Sequence, residues 1–83
     1  MFKINEIDRL VGSRLRARRT ELGVEHSALA DALEIAHDRI HAFEAGLERI
    51  GAELLLEICH ELKVGVEFFF EPSITLRTKE TPR

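Results

Sequence analysis

His26, His37 and His41 lie close together in the chain and are the first candidates for chemistry. His37 and His41 are four residues apart, one turn of a helix, a spacing that can chelate a divalent metal. No third ligand is placed beside them, and no His-Glu-x-x-His run is present. Cys59-His60 stands on a separate segment; Cys59 follows an inward Ile58 and reads as a small core residue rather than a nucleophile. Gly12-Ser13 lacks the further glycines of a phosphate-cradling loop. Glu53, Glu57 and Glu61 recur at spacing four, as on the solvated face of a helix. The expectation is no metal, no cofactor, no catalytic residue and no enzymatic activity.

Charge is more informative. The net charge is −3, a mild argument against a polyanionic partner, but distribution matters more than the sum. Arg9, Arg14, Arg16, Arg18 and Arg19 cluster near the N-terminus. Between Val24 and Glu48 stand Glu25, Asp31, Glu34, Asp38, Glu44 and Glu48 against one base, Arg39. A small domain with a basic and an acidic region carries a polarised field.

These residues need elements to position them. Eighty-three residues allow one domain with a small core. The core is aliphatic, helped by five Phe, with no Trp or Tyr. A single Cys excludes an internal disulfide framework. The opening MFKINEIDRLVG is not expected to be a secretory signal, no apolar run is long enough for a membrane span, and a cytoplasmic location is expected. Apolar spacing predicts a first helix from a cap at Asn5 to about Leu22, with Ile7, Leu10, Val11, Leu15 and Leu22 inward. Gly23 ends it. A second helix covers about 25–33, with Leu29, Ala30 and Leu33 apolar. A break at Glu34-Ile35 separates it from a third, about 37–45, with Ile40 and Phe43 inward and Gly46 as its stop. A fourth covers about 51–62, and a short apolar turn follows from Val66 to Phe70. Ile74 and Leu76 alternate with Thr75 and Arg77, as in a short strand; the end of the tail reads as disordered. The fold is therefore all-α: a compact domain over about 5–71 and an extended tail over 72–83. Two short helices joined by a tight turn on a larger helical body is the layout of a helix-turn-helix reader of DNA.

The order LVGSRLRARRTELGV, HSALADALEI, IHAFEAGLERI and LLLEICHELKVGVEFFF resembles the lambda-repressor-like (Cro and XRE-type) helix-turn-helix family. The match covers about residues 7–70. It rests on Arg19 at the end of the first helix, the Leu29-Ala30 pair, the Ile40/Glu44/Gly46 run and the late apolar helices. The resemblance implies a five-helix domain that binds double-stranded DNA, a transcription regulator acting as a dimeric repressor. It implies that Arg19 pairs with Glu44, which a buried Glu would need and an Arg fork suits. It places His37, Asp38, His41 and Ala42 at base edges, and His26, Arg39, Arg49, Arg14 and Arg16 at phosphates. Homodimerisation is expected through Phe68, Phe69, Phe70, Ile74 and Leu76, because three consecutive aromatics cannot all face one core.

The chain also departs from the family pattern. His26 replaces a Gln, Glu34 a small turn residue, and Ala36 a Ser or Thr cap worth about 1 kcal/mol. The acidic recognition segment supports a second reading, a helix-turn-helix module turned to contact with another regulatory protein. Histidine protonation near pH ~6.5 would offset the acids.

Overall fold

The computed structural model describes residues 4–70. Helix α1, Ile4–Leu22, crosses the whole domain. It begins ahead of Asn5, which therefore lies inside the helix. Helices α2, His26–Leu33, and α3, His37–Glu44, form the angled pair. Helix α4, Ala52–Leu62, follows. Val66–Phe70 winds as a 3-10 helix, so the described residues hold four α-helices and a 3-10 turn where five helices were expected. Five residues close too few bonds to sustain an α-helix, and the tighter winding suits short connectors. Neither strand character at Ile74 to Leu76 nor disorder in the tail can be followed, since both lie outside the described residues.

All four helices stop in the same way. Gly23 N–H donates to Thr20 and Val24 N–H to Arg19; Glu34 and Ile35 donate to Asp31 and Ala30; Gly46 and Leu47 to Phe43 and Ala42; Lys63 and Val64 to His60 and Cys59. This double bond pattern satisfies carbonyls that a helix end leaves open. It needs a left-handed residue, supplied by glycine at positions 23 and 46 but by Glu34 (φ 61°) and Lys63 (φ 58°) in the other two. The break between α2 and α3 is thus held by backbone bonds, with Ile35 tucked against the core.

The core gathers Val11 and Leu15 from α1, Leu29, Ala30 and Leu33 from α2, Ile40 and Phe43 from α3, Leu55, Ile58, Cys59 and Leu62 from α4, and Phe69 from the turn. Burial of such aliphatic and aromatic surface, at roughly 25 cal/mol per Å², is the main stabilising term. Two expectations for α1 change. Ile7 and Leu22 stand largely exposed, while Asp8 and Gly12 are buried. The inward stripe therefore runs Asp8, Val11, Gly12, Leu15. Gly12 explains the rotation. A Cβ built there would overlap the Phe43 carbonyl oxygen and press on that of Glu44. Only glycine lets α1 lie directly against the C-terminal end of α3.

Candidate nucleic-acid interface

Helix α3 buries Ile40 and Phe43 fully and turns His37, Asp38 and His41 outward to solvent, with Ala42 half-buried. An amphipathic helix of this length must present its polar side outward once the apolar side is in the core. Its orientation is fixed from behind by one network. Arg19 Nε donates to Glu44 Oε2 at 2.6 Å, and its Nη2 donates to Oε1 at 3.2 Å. The third guanidinium nitrogen donates to the Val24 carbonyl at 2.8 Å. One arginine from α1 therefore holds both the α1–α2 turn and the end of α3. Both side chains are nearly sealed, 11% and 8% exposed, so their attraction is little weakened by solvent.

His26 joins this network. Its Nε2 lies 3.2 Å from Glu44 Oε1. A carboxylate only accepts, so the ring must carry its proton on that nitrogen. The same ring stacks on His41 with centroids 3.9 Å apart. His26 thus bridges α2 to α3 instead of standing free. Arg16, Arg19, His26, His41 and Glu44 line a depression of about 280 Å³ at this place. Arg16 is exposed and extends the basic rim.

The other cations expected at phosphates are engaged elsewhere. Arg14 donates from Nε to the Phe68 carbonyl at 3.0 Å and lies over the Phe68 ring. It secures the 3-10 turn. Arg39 donates through Nε and Nη2 to Glu48 Oε2 at 3.1 and 2.9 Å and covers the Phe43 ring. Arg49 donates to the buried Asp8 at 3.0 Å. His37 leans back on α2, with Nε2 2.9 Å from Asp31 Oδ1. Sequence reasoning missed Asp8 and Glu48 as partners. Asp8 left a signal: an acid three and seven residues before Val11 and Leu15 sits on the buried stripe and needs a cation. Glu48 left none, since it lies in an irregular loop.

The aromatic run divides. Phe69 is fully buried and Phe70 is 46% exposed. Phe68 is half-buried and meets Phe69 edge to face. Phe69 belongs to the chain's own core and is not available to a second copy. Ile74 and Leu76 lie outside the described residues.

Nothing in this arrangement favours covalent chemistry. Burial, and secondarily the negative Glu67, push the Cys59 thiol upward from its ordinary value, which suppresses the thiolate. Among the described residues, no group of three or more His, Cys, Asp or Glu is placed to hold a metal, and no helix is long and apolar enough to cross a membrane.

Known proteins share this architecture. No family profile matches the chain. A protein of Sinorhizobium medicae named as an uncharacterized HTH-type transcriptional regulator is 46% identical over 69 residues, 83% of this chain and 50% of that protein. The regulator y4wC of Sinorhizobium fredii, also named HTH-type and uncharacterized, is 33% identical over 79 residues, 94% of this chain and 55% of that protein. The crystal structure of the clp gene regulator ClgR from Corynebacterium glutamicum superposes with a TM-score of 0.77, covering 93% of this chain and 83% of that one at 24% identity. The last likeness concerns the fold. The chain belongs to the family of HTH-type (helix-turn-helix) transcriptional regulators. It spans about half the length of these two curated relatives.

Proposed function

We propose that the chain is a sequence-specific DNA-binding module of a transcriptional regulator, placing α3 in the major groove as a dimeric repressor. One observation carries this: the Arg19–Glu44–His26 network holds α3 rigidly while His37, Asp38 and His41 face solvent. A rigid helix with an exposed polar end is what base-edge reading requires. In this reading His37, Asp38, His41 and Ala42 address bases, and Asp38 accepts from a cytosine amino group. Arg16 meets phosphate at the depression beside His26. The open N–H groups at the start of α2, where Glu25 makes no side-chain cap bond, support the same strand. Arg39 joins only after leaving Glu48, and Arg49 only after leaving Asp8. Two-fold pairing presents two copies of α3 to half-sites about one DNA turn apart, and the exposed Phe70 with Ile74 and Leu76 is the surface proposed for it.

The test is binding to random duplex DNA across salt concentrations. A reader gives a log–log slope of roughly 0.9 per phosphate neutralised. Selection from random oligonucleotides then yields a palindrome. Absence of binding at any salt would sink this reading and favour the protein-contact alternative. Sedimentation showing a monomer at micromolar concentration, with and without DNA, would sink the dimer.

A further inference from the structure

Arg9 and Arg16 stand apart from the other arginines of the described residues. Arg14, Arg18, Arg19, Arg39 and Arg49 each donate to a carbonyl or a carboxylate. Arg9 and Arg16 are exposed, and among the described residues neither guanidinium has an ion pair or a hydrogen bond. The two are seven residues apart on α1, two turns and about 10 Å along the axis, and so share a face. Gly12 lies between them on that side, at the point where α1 touches the end of α3. Arg16 flanks this crossing beside Glu44 and Ala45. Arg9 flanks it one turn earlier. A Cβ at Gly46 would fall 2.6 Å from Arg9 Cγ and 3.0 Å from its Cα, so the arginine's stem is laid against the turn that ends α3.

We propose that Arg9 is a further phosphate-contacting residue, and that with Arg16 it forms a two-arginine track by which α1 follows one DNA strand. This rests on the DNA-binding function proposed above and adds a contact to it. A helix about 10–12 Å across fills a major groove about 12 Å wide. Side chains mounted beside the end of that helix, rather than on it, then meet the sugar-phosphate wall and not base edges. Both arginines are mounted in this way, on α1, to either side of the Gly12 contact. A planar guanidinium donates two N–H groups to one phosphate. Availability separates Arg9 from the cations engaged elsewhere. Arg39 reaches phosphate only by giving up Glu48, and Arg49 only by giving up Asp8. Arg9 gives up water alone. Its stem against Gly46 already restricts the directions open to the head, which lowers the ordering cost of a contact. The need is also local. Acids crowd α2, α3 and the turn between them and repel phosphate, so the charge that grips the strand has to come from outside that pair, and α1 supplies it.

The experiment compares full-length variants by anisotropy titration of random duplex DNA across salt concentrations. Arg9→Gln keeps part of the stem and removes the charge. It should weaken binding several-fold, alike on all sequences, and lower the log–log salt slope by about 0.9. Arg9→Lys keeps the charge and should retain the slope. Lys63→Gln is the control for charge alone. Lys63 sits beside Arg18, which is nine residues from Arg9, two and a half turns, and so on the opposite side of α1. It should leave the slope unchanged. The urea midpoint of Arg9→Gln should match that of the unaltered chain, which separates a contact with DNA from a support of the fold. An unchanged slope for Arg9→Gln, while the unaltered chain binds, overturns this inference and leaves the DNA-binding function standing. Equal losses for Arg9→Gln and Lys63→Gln overturn it too, since the effect would then be that of net charge. A lowered urea midpoint with an unchanged slope assigns Arg9 to the fold and overturns it as well. Absence of binding by the unaltered chain at any salt overturns the function and this contact with it.

Discussion

At the level of single side chains, the arginines divide between scaffold and surface by the partner each finds. Arg39 and Glu48 are both partly exposed, 43% and 39%, so their pairing is worth little in stability yet neutralises a cation beside the reading helix. Glu48→Gln should free Arg39. Affinity for random duplex should rise, and the salt slope should steepen by about 0.9. Arg39→Ala in that background should remove the gain, and a double-mutant cycle in anisotropy titrations measures it. Two backbone-linked positions offer stability in the opposite sense. Ala36 caps α3 without a side-chain bond, and Ala36→Ser should stabilise by about 1 kcal/mol. Glu34 holds a left-handed conformation that costs an L-residue about 1–2 kcal/mol, so Glu34→Gly should also raise the denaturation midpoint. A lowered midpoint for either would count against the cap geometry described.

Between elements, the decisive joint is α1 to α3. Arg19 and Glu44 are buried together, and removing Arg19 leaves the Glu44 carboxylate with only the His26 ring beside it. Arg19→Ala should therefore cost about 3–5 kcal/mol, read by urea denaturation, well beyond a surface arginine. This joint was legible in the sequence because an arginine at a helix end and a glutamate between Phe43 and Gly46 stand at family spacing. The helix limits were legible too, from apolar period and from Gly23 and Gly46. What escaped was the rotation of α1. Ile7, Leu10 and Val11 offer two overlapping apolar stripes, and composition alone favours the one with more carbon. The backbone contact at Gly12 selects the other, and no side-chain pattern announces a contact made by the absence of a side chain. The fates of Arg14, Arg39 and Arg49 were equally hidden, because each partner lies far along the chain or in a loop.

For the domain as a whole, the excess of acid around α3 sets the conditions under which it would grip DNA. His26, His37 and His41 surround that helix. His26 and His41 face each other beside Glu44, Arg19 and Arg16, and His37 faces Asp31. Affinity for duplex DNA should fall steeply as salt rises at constant pH, and a flat profile would show that these side chains stay remote from the bound backbone.

Because main chain touches main chain where Gly12 meets the end of α3, the tilt of α3 is inherited from the long first helix. Its outward residues answer to no such constraint. Under the function proposed above, lineages can then drift toward new operators by exchanging His37, Asp38 or His41 alone, with the mount beneath them left unaltered.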